Sequence, residues 1–308
     1  MKLNHRKVAF VLSGGGPRGA LQVGALRALF EHSIQPQILV GVSIGAVNAA
    51  YLATDPCLNG VERLAGIWRE LEGEVVFPGG YWRLARRVLR GEDSFFPHEP
   101  LREFFLRYLP AGIRQFGDLS TVELYVTAAN LRTGRLKVFG EDPDDDLVDA
   151  LVASTALPPY IAPQENDGQQ YVDGGVLSNL PLQVAVDHGA DEIYALYLGV
   201  QPETYTPAHG LLRILDRTLW SIAQQQLAYE LRVAKLSGVS VHLIRLDVNH
   251  SVALWDFSHT ETWLQQGYEI AQAYLKAPQP QRQRWRQWRR LGIHRIRSLL
   301  AHFYKEKV

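Results

Sequence analysis

A single serine held between two glycines, in Gly41-Val42-Ser43-Ile44-Gly45, constrains this chain more than any other feature. The run before it, Gln37-Ile38-Leu39-Val40, is short and apolar, the pattern of a strand buried on both faces. The run after it, Ala46-Val47-Asn48-Ala49-Ala50-Tyr51-Leu52-Ala53, is rich in small helix formers. A chain that passes from strand to helix through one residue needs neighbours without side chains, and it leaves the serine hydroxyl exposed at the helix N-terminus. Ser43 is therefore the first candidate nucleophile. Taken alone, the five residues also fit a glycine-rich turn of no catalytic meaning.

A second glycine cluster lies upstream. The apolar run Val8 to Leu12 opens into Ser13-Gly14-Gly15-Gly16-Pro17-Arg18-Gly19, followed by a helical pattern in which Leu21, Ala25, Ala28 and Leu29 recur. Gly14, Gly16 and Gly19 satisfy the dinucleotide fingerprint, whose glycines admit a pyrophosphate to the backbone. That fingerprint also expects an acid at the end of the second strand. Here the second strand ends in Val40-Gly41-Val42-Ser43, with no acid. Bare backbone amides can equally stabilise an oxyanion, and adjacent parallel strands would carry this loop to Ser43. The oxyanion reading is the stronger; a plain glycine turn stays possible.

The remaining pattern alternates helices with strands. Val61, Leu64, Ile67, Trp68 and Leu71 predict an amphipathic helix, and Leu101, Phe104, Phe105 and Tyr108 a shorter one. Between them, residues 77–100 interleave arginines with aromatic and aliphatic side chains, either a solvated helix face or a cap over an apolar groove. Residues 122–128 and 135–139 read as a hairpin, and Asn166-Asp167-Gly168 is a second hairpin turn that leads into Asp173-Gly174-Gly175. Asp173 is the second candidate functional residue, although an aspartate before glycine often serves only its own turn. The cluster Asp142, Asp144, Asp145 and Asp146 suits a helix N-terminus better than a metal ion. Residues 182–186 read as helix, 192–198 as strand, 211–236 as a long helix and 239–246 as strand. Ser258 is expected to cap a final helix through Leu275. These elements predict an α/β fold with a mainly parallel central sheet covered by helices on both faces, its functional loops at the strand C-terminal ends.

Composition narrows the setting. The 308 residues are 46% hydrophobic and 21% charged, ordinary for a chain with a real core. One cysteine, Cys57, excludes an intrachain disulfide. The apolar run after Lys2, Arg6 and Lys7 is too short for a signal peptide, and no run reaches the ~18 to 20 apolar residues of a membrane span. A cytoplasmic protein is expected, possible membrane contact being peripheral. The net charge of +0 hides a division: residues 276–308 carry ten of the 32 Lys and Arg and one of the 32 acids. On a helical wheel Trp285, Trp288, Ile296, Leu299, Leu300 and Phe303 share one side. Arg286, Arg290, Arg295, Arg297 and Lys305 lie mostly on the other, and Arg289 adds to the charge. Such a helix could lie on an anionic membrane or dock on the acidic body. Nucleic acid is not an expected partner, because the other 275 residues are acidic.

A serine elbow usually works with a histidine, and His188, His242, His250 or His259 could complete a triad in the α/β-hydrolase order. None sits in a distinctive pattern, and more than two strands normally precede the elbow of that fold. The three blocks Gly14-Gly15-Gly16-Pro17-Arg18-Gly19, Gly41-Val42-Ser43-Ile44-Gly45 and Asp173-Gly174-Gly175, in that order, resemble the signatures of patatin-like phospholipases. The segment Ala153-Ser154-Thr155-Ala156-Leu157-Pro158 and the closing Asp256-Phe257-Ser258 with Gly267-Tyr268 resemble the bacterial branch. The resemblance covers roughly residues 7–276 and implies a three-layer catalytic domain over residues 1–276, followed by a tail over 277–308. It implies a Ser43–Asp173 dyad without histidine and an oxyanion hole at Gly14, Gly15 and Gly16. Arg18, Gly41, Gly45, Gly174 and Gly175 would support them. No metal or cofactor is implied, and the substrate would be a lipid acyl ester. A non-catalytic membrane-binding protein on the same fold is the contrasting expectation.

Overall fold

The computed structural model describes residues 6–71, 90–200, 207–248 and 252–277. The chain divides into two compact units, residues 1–272 and 273–308. The second is described only over residues 273–277, the last turn of a helix. The greater part of the 77–100 region and the tail from residue 278, with Trp285, Arg286, Trp288, Arg289 and Arg290, lie outside the described residues.

Among the described residues eight strands form one sheet: β1 (Val8–Leu12), β2 (Ile38–Val42), β3 (Glu123–Asn130), β4 (Arg135–Phe139), β5 (Gln164–Asn166), β6 (Gln169–Asp173), β7 (Glu192–Val200) and β8 (Ser240–Val248). Their order is β5-β6-β3-β2-β1-β7-β8, with β4 also paired to β3. The five strands from β3 to β8 are parallel, whereas β4, β5 and β6 add antiparallel pairs at one end. The described helices are α1 (Gly19–Glu31), α2 (Ile44–Thr54), α3 (Leu58–Glu70), α4 (Glu99–Tyr108), α5 (Leu147–Thr155), α6 (Leu182–Asp187), α7 (Leu211–Leu236) and α8 (Thr260–Lys276).

The continuous apolar runs of β1 and β2 follow from cover on both faces. Ala9, Val11, Ile38, Val40, Ile193 and Ala195 pack against α6 and α7 through Leu182, Ala185, Leu227 and Ala234. The alternate residues face the other way, where Phe10 meets the rings of Phe30 on α1 and Tyr194 edge-on, each at 6.0 Å. Each large side chain so buried contributes about 1.5–3 kcal/mol. On that second face α1 and α8 approach backbone to backbone, Gly24 against Leu264 and Gly267 against Leu21, where a Cβ would collide. Residues 8–12 lie between β2 and β7, which the chain reaches in opposite directions from β1. Their C-terminal end is thus the switch point where an open α/β sheet leaves a crevice.

Among the described residues the expected elements are present with small shifts of boundary. One detail differs: α8 opens at Thr260, and the hydroxyl of Ser258 donates to Asp256 Oδ1 at 2.6 Å two residues earlier. A serine whose side chain closes an Asp turn of its own is too far back to serve as the cap.

Candidate active site

The sheet register brings Ser43 and Asp173 together. β3 pairs with β4 along one edge over Val126 to Asn130. Its other edge is shared: β2 runs parallel to it as far as Val42 opposite Thr127, and β6 runs antiparallel to it with Asp173 opposite Ala128. Two strands travelling toward each other along one edge end head to head. The residue after Val42 therefore meets the last residue of β6, although 130 positions separate them.

Ser43 turns β2 into α2 with φ 56° and ψ −131°. A non-glycine residue in this region stores about 1–3 kcal/mol of strain, retained only where the surroundings impose it. They do so by close packing. A Cβ at Gly45 would stand 2.3 Å from Leu12 O, and one at Gly41 2.5 Å from Ala46 Cα, so neither position admits a side chain.

Asp173 is 3% exposed. Its Oδ1 accepts the Gly175 N–H at 2.7 Å, and the Ser43 hydroxyl is its other partner. Burial pushes its carboxyl up to about 6, against the opposing pull of these two hydrogen bonds. Gly174 lies flat on Thr127, where a Cβ would be 2.6 Å from the carbonyl oxygen.

The glycine loop leaves β1 beside the elbow. A Cβ on Gly14 would lie 3.0 Å from Ser43 Cβ and 2.7 Å from Asn179 Oδ1, so the loop backbone passes directly over the serine. Gly15 is the N-cap of a 3-10 turn, Gly16–Arg18, that continues into α1. The first amides of such a turn have no partner within it and form its positive end. Arg18 braces the loop, donating from Nε to Gly15 O and from Nη1 to Gly199 O, each at 3.1 Å.

A buried polar chain fixes the loop from beneath. Ser13 Oγ accepts the Leu198 N–H at 2.8 Å. Gln22 donates to Ser13 O at 2.8 Å, Asn48 Nδ2 to Gln22 Oε1 at 2.9 Å and to Gly19 O at 3.0 Å, and Trp68 Nε1 to Asn48 Oδ1 at 2.8 Å. Gln22 and Asn48 are fully buried. Neither belongs to a motif; the available signal is one amide within an otherwise apolar helical run. Beyond Asp173, α7 holds the following loop. Gln226 accepts the Asn179 N–H and donates to Val176 O, while Glu230 accepts from Ser178 Oγ and the Gln183 N–H.

Among the described residues no histidine is a hydrogen-bond partner of Ser43 or Asp173. His242 Nε2 lies 2.8 Å from Glu192, which that bond and the charge of His242 hold down at about 2 despite its burial. Glu192 pairs with Val8 at the start of β1, so this hydrogen-bonded pair stands at the opposite end of the strands from the glycine loop. His188 Nδ1 contacts Val184 O, and its ring lies 3.8 Å from that of Tyr125. His259 packs against Trp263, and His250 lies outside the described residues. Asp146 caps α5 by accepting the Asp149 N–H at 2.8 Å, and no described cluster of His, Cys, Asp and Glu could hold a metal ion. No described helix is long and apolar enough to cross a membrane.

A three-layer α/β fold with a serine elbow, a glycine loop and a buried aspartate at one sheet edge defines a small class of architectures. The patatin-like phospholipase family pattern matches residues 10–186, and the chain belongs to that family. It is 32% identical over 210 residues to a lysophospholipase of Aspergillus terreus, covering 68% of this chain and 13% of that protein. It is 28% identical over 217 residues to patatin-like phospholipase domain-containing protein 7 of Rattus norvegicus, covering 68% and 15%. This chain thus spans under a sixth of the length of these curated relatives. Its fold is similar to that of VipD from Legionella pneumophila, with a TM-score of 0.50 and 16% identity over 88% of this chain and 66% of that one.

Proposed function

We propose that this protein is a serine lipid acyl hydrolase that cleaves ester bonds of phospholipids or lysophospholipids with Ser43 as nucleophile and Asp173 as its base. The observation that carries the reading is the strand register, which ends β2 and β6 head to head and sets Ser43 beside the buried carboxylate of Asp173. Family membership and the names of the relatives support the substrate class. In acylation Ser43 Oγ attacks the ester carbonyl as its proton passes to Asp173, and the carbonyl oxygen becomes an oxyanion facing the amides of Gly15 and Gly16. The Gly14 amide, also expected there from the sequence, already donates to Asn179 O at 3.4 Å. Collapse expels the alcohol, which takes the proton from Asp173. Water, deprotonated by the same carboxylate, then releases the fatty acid and restores Ser43. A carboxyl raised to about 6 is mostly ionised at neutral pH and is a better proton acceptor than an ordinary aspartate. No step requires a metal or an organic cofactor.

The test is product profiling on phospholipid and lysophospholipid together with labelling by a serine-directed fluorophosphonate. Ser43→Ala is expected to abolish both with the fold retained; turnover surviving in that variant would overturn the assignment. We assign the basic tail, with Trp285, Trp288, Arg286, Arg289 and Arg290, to contact with an anionic membrane surface, on the grounds of its charge and helical periodicity.

A further inference from the structure

The last residues of α5, Ser154 and Thr155, and the C-cap Ala156 are not part of the elbow, the glycine loop or the Asp173 turn, yet both halves of the proposed dyad hang from this segment. Ser154 Oγ accepts the backbone N–H of Ser43 at 2.9 Å and donates to Thr127 O at 2.8 Å. Two residues on, Ala156 O accepts the backbone N–H of Asp173 at 3.0 Å. Ser154 and Ala156 are fully buried, and no other partner of the Ser43 amide is found among the described residues.

This arrangement answers a problem set by the fold. β2 gives up its pairing with β3 at Val42, so the Ser43 amide has no ladder partner, and an unmade bond at a buried donor costs about 1–3 kcal/mol. Ser43 also holds a strained φ of 56°. One hydroxyl serves the orphaned amide and, through Thr127 O, ties it to the residue of β3 next to Ala128, against which Asp173 is registered. The donor and the acceptor roles of Ser154 are both used, so its hydroxyl has a single allowed orientation.

We infer that Ser154 is a positioning residue for the reaction, holding Ser43 at the distance and angle from Asp173 at which the proton can pass. This rests on the assignment of Ser43 and Asp173 made above. Ser154 touches neither substrate nor the reacting atoms, so it acts on the rate constant of the acylation step and leaves substrate binding alone.

The experiment compares wild type, Ser154→Ala, Ser154→Cys and Ser154→Thr in the full chain, using a soluble p-nitrophenyl ester, fluorophosphonate labelling and thermal unfolding. Displacement of a nucleophile by about 1 Å costs on the order of 10²-fold, so Ser154→Ala should lower kcat and the labelling rate by about that factor with KM little changed. The acidic limb of the pH profile should shift little, and upward if it moves, because the burial that chiefly raises the Asp173 carboxyl is unchanged while the Ser43 contact that pulls it down is loosened. Ser154→Thr keeps the hydroxyl and should restore most of the rate. Ser154→Cys preserves volume but offers only a weak acceptor, and it carries the test if the alanine variant does not fold. A folded Ser154→Ala or Ser154→Cys protein with wild-type kcat would overturn the inference while leaving Ser43 and Asp173 in place. A Ser154→Thr protein as slow as the alanine variant would also overturn it, since the hydroxyl would then not be what matters. Turnover surviving in Ser43→Ala would overturn the dyad and this inference together.

Discussion

Asp173 bears a conflict that a single substitution can resolve. Its carboxyl is ionised at neutral pH in a place that raises it to about 6, against an ordinary value of 3.8. Below the ordinary value the group is protonated folded or unfolded and nothing is lost. Between about 4 and 6 the unfolded chain ionises more readily, so stability falls as pH rises, and above 6 the full cost stands. A two-unit shift corresponds to roughly 3 kcal/mol. Asp173→Asn keeps an oxygen for the Gly175 N–H and removes the charge, so it is expected to abolish hydrolysis while raising the melting temperature at pH 8. That gain should vanish toward pH 4. A lower melting temperature at pH 8 would contradict the cost assigned to this carboxylate. In wild type kcat/KM should fall as pH drops through about 6. Single substitutions of His188, His242, His250 or His259 should leave that limb and the rate near wild type, and a loss of ~10⁴ in any one of them would favour a triad.

At the level of elements, the glycine loop owes its shape to the helices beneath it as much as to its own residues. Gln22 on α1, Asn48 on α2 and Trp68 on α3 form one buried chain of hydrogen bonds that ends on Ser13 O, at the root of the loop. Removing one member leaves the others unsatisfied, each at a cost of about 1–3 kcal/mol. Asn48→Leu, similar in volume but unable to bond, is expected to lower stability by that order. It should also slow fluorophosphonate labelling more than it alters binding of a soluble ester, since it frees Gln22 and Gly19 O together. Parallel thermal melts and labelling rates would check this; an unchanged labelling rate in a destabilised protein would confine the network to stability.

Across the whole molecule, charge is divided between an acidic first 275 residues and a basic remainder. Each arginine near an anionic bilayer is worth about 1 kcal/mol and is screened by salt, so on the reading proposed above the several in the tail would add up to a salt-sensitive hold on such a surface. Deleting the chain after Lys276 is expected to weaken binding to vesicles containing anionic lipid and to lower hydrolysis of those vesicles more than of a soluble ester. Added salt should shrink the difference. Equal losses on both substrates, with a lower melting temperature, would instead make the tail part of the folded body.

The residue pattern by itself determined the local states of the chain. Apolar runs without alternation marked β1 and β2 as strands covered twice, Asn166-Asp167-Gly168 marked the β5–β6 turn, and the glycines around Ser43 marked a strand-to-helix reversal, because each depends on neighbours within a few positions. Tertiary structure decided what those states do together. Nothing in the spacing of 130 residues says that β6 pairs antiparallel to the edge of β3 that β2 has just vacated, yet that register sets Asp173 against Ser43. Ser154, Gln22 and Asn48 gain their roles the same way. A hydroxyl or an amide in an apolar helix has no assigned partner until packing removes water and leaves one acceptor within reach. The raised carboxyl of Asp173 is likewise a property of burial, which only the closed fold supplies.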